Sequence, residues 1–347
     1  MKKFCLECCE DREVTITTQK RTQTLHNIDI TYDAKIYICS ECGMDVPDDE
    51  LYSMNLQQAY RVYKEKNELL LAEDFRYIRV ALYQITVRTF AKIIGCSPAT
   101  ITKYEKGAIQ TPQHEMTFRL LRNPTIMVQY VEKNKAKLEE SEYFTLKERL
   151  DFLLEALRME KILTTTDTPL KFPELKRAEE ISMIPYQVME EYFIIRGYEE
   201  SKNEYDTLIT NKKLQNLSYF TQGWHLAFTD EPLISNDFEA WRHGPVIHES
   251  YHKHQHLGAN PLPPVNKNIV ELGLLSYQEA ILDWVWDKYH HFDAQYLEKL
   301  SHIEGPWVKA RVGLTPIDGS NRIISKEAIH NYFKNVYKAI KLIRSAY

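Results

Sequence analysis

Nothing in this sequence of 347 residues reaches the run of about 18 apolar residues that a membrane-spanning helix needs. Met1-Lys2-Lys3-Phe4-Cys5 opens the chain without the apolar core of a secretory signal. The expectation is a cytoplasmic protein with no membrane partner. Disulfide density is missing too. Six cysteines in a chain this long make no disulfide scaffold, and in a reducing compartment paired Cys-x-x-Cys points to metal instead. A net charge of -5 gives no chain-wide attraction for nucleic acid, so any such surface is local. Repeats and low-complexity tracts are absent, as are a phosphate loop and a dinucleotide fingerprint. Ser218, His225 and Asp237 supply the residue types of a hydrolytic triad, but no Gly-x-Ser-x-Gly elbow accompanies them. An enzyme is therefore not expected. What is present, 27% charged and 44% hydrophobic residues, suits a soluble chain of two or three domains with cores of their own.

The cysteines are placed tellingly. Cys5-Leu6-Glu7-Cys8 and Cys39-Ser40-Glu41-Cys42 are two Cys-x-x-Cys pairs with thirty residues between them. Each pair aims two thiolates at one centre from a tight turn, and two pairs complete a tetrahedral S4 site for structural Zn2+. Gly43 follows the second pair, as such turns need, whereas Cys9 follows the first. Cys9 is an alternative to Cys8 as ligand, with the spacing favouring Cys8. Val14–Thr18, Ile28–Tyr32 and Lys35–Ile38 alternate and are rich in β-branched residues, which predicts short antiparallel strands. This reads as a zinc ribbon, followed by a solvated acidic stretch at Asp45–Glu50 and a helix at Leu56–Leu71. Ribbon and connecting helix make a first domain, residues 1–67.

Residues 68–140 read as a helix-turn-helix. A first helix is expected at Glu73–Gln84, with Phe75, Ile78 and Leu82 on one face. Thr86 caps a short helix from Val87 to Ile94, whose Phe90, Ala91 and Ile94 face inward, and Gly95 ends it. Ser97 caps the next, with Pro98 in its first position, and Gly107 stops it just past Lys106. The segments Phe90–Gly95, Ser97–Ile101 and Tyr104–Gly107 resemble the Xre-type DNA-binding fold. With the ribbon before it, the arrangement is similar to the two-domain MqsA-like antitoxins. The resemblance implies that the second helix enters the major groove of operator DNA, presenting Ser97, Thr100, Thr102, Lys103 and Lys106, and that the protein is a homodimer. Lys103 can donate to guanine, and the threonines offer a hydroxyl or a methyl. Between Arg76 and Lys106, six basic residues (Arg76, Arg79, Arg88, Lys92, Lys103, Lys106) stand against Glu105 alone, a local patch suited to phosphate. Met116, Leu120, Leu121, Met127 and Tyr130 are expected to complete the core.

Residues 141–183 read as a helical linker. Thr145-Leu146-Lys147-Glu148 is a capping box. Leu146, Leu150, Leu153, Leu154 and Leu157 form a stripe behind it, and Thr164–Pro173 is polar and twice broken by proline. A helix with Val188, Met189, Tyr192 and Ile195 inward follows at Tyr186–Arg196.

Then comes a run of particular composition, Leu214–Phe228. It predicts a helix capped by Thr210, with Leu214, Leu217, Trp224 and Phe228 on one face. Gly223 suggests a neighbour packed against the backbone. Asp230-Glu231-Pro232 ends the helix, and Gly244-Pro245 marks a tight turn with Arg242 and His243 beside it. Leu214, Gln215, Leu217, Tyr219, Phe220 and Gln222–Ala227, then Phe238–Trp241 and Gly244–Val246, then Gly305-Pro306-Trp307 with Ala310-Arg311 resemble the Panacea domain of antitoxins and phage-linked proteins. Asn216 and Ser218 depart from its pattern. The resemblance implies that residues 184–347 form a mainly helical module that binds and neutralises a toxin. Glu239, Arg242 and His243 are the candidate toxin contacts. Of the histidines at 243, 248, 252, 254 and 256, His248 and His252 stand at i and i+4, compatible with zinc but lacking a third ligand. The tail Ile329–Tyr347 reads as a basic amphipathic helix.

The fold expected is therefore mainly α with a small β zinc ribbon, an Xre-type helix-turn-helix and a helical Panacea-like domain. The function expected is an antitoxin that neutralises a cognate toxin and represses its own operon. A transcription regulator with a C-terminal sensor module and a proteolytic adaptor for a bound partner are the rivals.

Overall fold

A computed structural model describes the chain except residues 165–169, 174–180, 202–206, 304, 316 and 347. It is 58% helical with a small antiparallel sheet near the N-terminus, the mainly α class with a β ribbon that the sequence predicts. The chain divides into two compact units, Met1–Leu154 with the tail from Leu342, and Glu155–Lys341. Part of the stretch read as a polar linker, residues 165–169, lies outside the described residues. No described helix is long and apolar enough to cross a membrane.

The first unit opens with four strands paired in chain order, β1 (Lys2–Cys5), β2 (Glu10–Leu25), β3 (Ile28–Cys39) and β4 (Asp45–Val46). The three short strands expected from the sequence are one long hairpin, paired without a break from Val14↔Cys39 to Leu25↔Ile28. His26 and Asn27 make its turn with φ of 45° and 64°. Two left-handed residues at a two-residue turn match the twist of the strands. Helix α1 (Asp49–Lys66) starts earlier than predicted because Asp48 accepts the Leu51 N–H at 2.9 Å. The acidic stretch thus supplies a cap.

The helix expected at Glu73–Gln84 is a short α2 (Ala72–Arg76) running into a π-turn at Tyr77–Leu82. Phe75, Ile78 and Leu82 are buried as read. Helices α3 (Val87–Ile94) and α4 (Pro98–Glu105) fall where their caps place them. Thr86 and Ser97 accept the N–H groups of Thr89 and Thr100, and Gly95 is left-handed at φ 81°. The inward residue at the end of α3 is Ile93 rather than Ile94. Helices α5 (Pro112–Leu120) and α6 (Pro124–Lys133) follow. Met116 and Leu120, expected in the core, are exposed, because α5 turns Glu115 and Phe118 inward. Helix α7 (Glu140–Leu163) runs straight through the predicted capping box. Glu142 instead accepts the Glu139 N–H at 3.0 Å. Its buried ridge is Leu146, Leu150, Leu153, Ala156 and Met159, with Leu154 and Leu157 only half-buried.

The second unit is built around α9 (Asn211–Thr229). It packs against α8 (Tyr186–Ser201), α10 (His248–His254), α11 (Ser276–Tyr289), α12 (Ala294–Ile303) and strand β6 (Gly244–Val246). The prediction of a single apolar face is corrected here, since every residue from Lys213 to Ala227 is buried. Gly223 lets α14 (Lys326–Ser345) close in, because a Cβ there would run into the Phe333 ring. Asp230, left-handed at φ 65°, terminates α9. The small sheet has the order β6-β5-β7, with β5 at Phe238–Trp241 and β7 at Ile323–Ile324. The turn expected at Gly244-Pro245 is instead Arg242-His243, since Trp241 pairs with Gly244. Gly244, at φ 116°, begins β6 in a conformation that glycine adopts at low cost.

Candidate functional site

The two Cys-x-x-Cys pairs sit where β1 meets β2 and where β3 meets β4, so the hairpin register sets their spacing. The sulphurs of Cys5, Cys8, Cys39 and Cys42 all lie within 4.8 Å of one another. Cys5 Sγ is 3.5 Å from Cys42 Sγ and Cys8 Sγ is 4.0 Å from Cys39 Sγ. A tetrahedral zinc with Zn–S bonds of about 2.3 Å has sulphur–sulphur edges of about 3.8 Å, so the four fit one ion. The backbone N–H groups of Cys42 and Glu41 point at Cys39 and lower its thiol to about 7, whereas hydrogen bonds with its neighbouring thiols and burial push Cys8 up to about 12; a bound cation would draw both toward the thiolate that ligation requires. Cys9 is outside the cluster. It takes the left-handed conformation at φ 52° that Gly43 takes at 72° in the other knuckle, and its exposed thiol reaches the Leu6 carbonyl at 3.4 Å. These four cysteines can hold a metal ion. They are the only such group of three or more ligands among the described residues.

On α4, Ser97, Lys103 and Lys106 are exposed and Thr100 and Thr102 half-buried. The hydroxyls are engaged within the helix. Ser97 Oγ pairs with Thr100 Oγ1 at 2.9 Å, and Thr102 Oγ1 donates to the Pro98 carbonyl at 3.0 Å. The basic patch is thinner than the sequence count implies. Arg79 is clamped by Glu105 through bonds of 2.6 and 2.9 Å, and Lys92 pairs with Glu142 at 2.8 Å. Arg76, Arg88, Lys103 and Lys106 remain exposed, with no ion pair among the described residues.

In the second unit the three separated motif segments meet. The Trp307 indole N–H donates to the Trp241 carbonyl at 3.0 Å, and Arg311, buried, donates to the Ala240 carbonyl at 2.8 Å and the Asp318 carbonyl at 2.8 Å. Gln215 on α9 accepts the Ile247 N–H at 3.0 Å and donates to Ser250 at 2.7 Å. Gln222 accepts the N–H groups of Leu233 and Ile234. The polar residues of α9 thus serve as internal fasteners for the loops around it, satisfying backbone groups that burial would otherwise leave costly. Ser218, His225 and Asp237 share no hydrogen bond. His225 Nδ1 contacts the Glu231 carbonyl at 2.7 Å, and Asp237 pairs with Lys326.

The candidate toxin contacts Glu239, Arg242 and His243 lie together on one groove of about 950 Å³, with Lys212, Trp241 and Tyr251 among its other walls. His243 Nδ1 lies 2.9 Å from Glu298 Oε1, and Lys212 pairs with the same carboxylate. Burial pushes the Glu298 carboxyl up, but Lys212 and His243 outweigh it and hold it below the usual range. His248 Nδ1 is 3.5 Å from Glu239, and its ring is 4.4 Å from that of His252. Sequence reasoning missed Lys212, Trp241, Tyr251 and Glu298 as site residues, because they come together only through the hairpin and the packing of α9, α10 and α12.

Residues 214–308 match the family model described as Antitoxin SocA-like, Panacea domain. The matched stretch runs from α9 into the helix α13 (Gly305–Ala310) and contains the hairpin and α10 to α12. No curated protein and no solved structure matches the chain.

Proposed function

We propose that the protein is an antitoxin. Its C-terminal unit binds a toxin and neutralises it by direct contact, and its N-terminal unit holds operator DNA and represses the operon. The observation that carries this reading is the match of residues 214–308 to an antitoxin family, with the second and third motif segments joined through Trp307 and Arg311 and α9 tied to Ile247, next to the second, through Gln215. For the N-terminal unit, two short helices joined by a left-handed Gly95 are the arrangement of a helix-turn-helix. The exposed Lys103 and Lys106 on α4, with Arg76 and Arg88, suit a phosphate backbone. Such domains act as two-fold dimers on palindromic sites, so the protein is a homodimer on DNA. Cys5, Cys8, Cys39 and Cys42 hold a structural Zn2+, because a four-strand ribbon with so small a core needs one. No catalytic step belongs to this reading, and the protein works in the cytoplasm.

Co-expression with the product of the adjacent reading frame tests it. The antitoxin reading expects growth to be rescued from that product's toxicity in protease-deficient cells as well as proficient ones. Rescue only in protease-proficient cells marks an adaptor instead, and no rescue with either neighbour overturns the reading. Lys103→Glu reverses a charge on the exposed face of α4. It is expected to weaken operator binding about tenfold or more in a gel-shift titration while leaving rescue intact. Equal loss of both activities would count against separate roles for the two units.

A further inference from the structure

We propose that the groove beside the β5–β6 turn is the toxin-docking site, and that it receives an acidic segment of the toxin carrying one apolar side chain. This rests on the antitoxin reading and says where and by what chemistry the partner is held. The groove, about 950 Å³, lies at the upper end of the range of about 300–1,000 Å³ for built ligand clefts. Its apolar part is Val246 with the pair Trp241 and Tyr251, whose rings meet at 60° with centres 4.9 Å apart. Small residues, Gly258, Ala259, Ala294 and Gly319, line another part and leave room for a backbone to lie close.

Glu298, which does not line the groove, already engages Lys212 and His243. The lining itself holds Lys212 and Arg242 with His243 and His248, and one carboxylate, Glu239. That carboxylate is already engaged: the Trp241 indole N–H donates to it at 2.6 Å and His248 lies 3.5 Å away. Arg242 is different. It stands exposed in the two-residue turn, and no hydrogen bond or ion pair holds its guanidinium among the described residues. A carboxylate entering the groove meets this bidentate donor first. The turn that presents it is fixed from behind, because Trp307 and Arg311 hold the carbonyls of Trp241 and Ala240. A platform ordered before binding loses little on association. Trp, Tyr and Arg are also the residue types that dominate protein interfaces.

The test uses the full chain with the toxin encoded beside it. A photo-crosslinking phenylalanine is placed at Gln255 in the groove and, as a control, at Val270, which is 88% exposed and not part of the groove. The expected result is a crosslink from position 255 alone, mapped by mass spectrometry to an acidic stretch of the toxin. Arg242→Glu, at an exposed position that leaves the melting curve unchanged, is expected to weaken binding in calorimetry about tenfold or more. A lysine put in place of the matching toxin carboxylate should restore it. Growth rescue that persists with no crosslink from 255, or with Arg242→Glu binding like the wild type, overturns the groove while leaving the antitoxin reading intact. A crosslink that maps to an uncharged stretch overturns the acidic chemistry. Failure of the wild-type pair to rescue overturns both.

Discussion

Around Cys5 and Cys39 the buried cluster contains only Val14 and Val46 besides the cysteines, with Cys8 and Tyr37 packed against it. Around α9 the reverse holds. Trp224 stacks on Phe228, meets Trp284 and Phe333 edge-on, and donates its indole N–H to the Tyr289 hydroxyl at 2.9 Å. At the knuckle end the ribbon buries little apolar area, while Ile30 and Ala34 further along the hairpin are buried, so a metal held by the four thiols is expected to carry the stability of the knuckle end. The helical unit has so much apolar area that even its glutamines are drawn inside and used as fasteners. The two regions therefore should fail under different insults, and each can be attacked without the other.

The largest effect is expected from the metal centre. Chelation, or Cys39→Ser, should remove a term worth about 10–16 kcal/mol in comparable zinc modules. Amide spectra should show residues 2–46 losing dispersion while the α9 core keeps its own. A ribbon that stays folded with no bound metal would end the contrast. Next is Trp224→Ala, expected to cost about 3–5 kcal/mol by leaving a large cavity, read as a lower melting temperature of the helical unit with metal content unchanged.

A pH titration sharpens the comparison further. Burial lowers His225 to about 4. Its Nδ1 is held by the Glu231 carbonyl, and its Nε2 is buried with no partner, so a second proton would sit where nothing accepts it. The folded value lies below the ordinary 6.5. The stability this confers is complete above about pH 6.5 and drains away as pH falls towards 4, by at most about 3 kcal/mol. His225→Gln should flatten that part of the stability profile. The smallest effect is Gly223→Ala. It should cost about 1–3 kcal/mol by forcing Phe333 aside, and adding Phe333→Leu should recover part of it.

Local signals in the sequence were reliable. Thr86, Gly95, Ser97, Pro98 and Thr210 mark helix ends where the structure has them, because a cap depends on neighbours within a few residues. The cysteine knuckles were legible for the same reason. Features set by distant partners were not. The Thr145–Glu148 capping box misled, since Glu142 caps the chain earlier. The hairpin reads as three short pieces because Gln19–Thr24 is polar throughout and Asp33-Ala34 interrupts the β-branched pattern. The burial of α9 from Lys213 to Ala227 has its signal in the sequence: no charged residue occurs from Leu214 to Thr229, and a helix without a charged face has no side to turn to water. The groove could be only partly anticipated. Its Glu239 and Trp241 belong to a motif segment and Arg242 to the turn that follows, but Lys212 enters through packing, with Glu298 behind it as its partner.

Arg311 lies three residues past the end of the family match, yet its guanidinium gathers carbonyls from Ala240, Thr315 and Asp318. Phe333, further on still, fills the seam over Gly223. Homology borders and folding borders therefore part company here. A fragment trimmed at Val308 would discard the keystone of its own arch, so dissection of the C-terminal unit has to carry the chain on through α14.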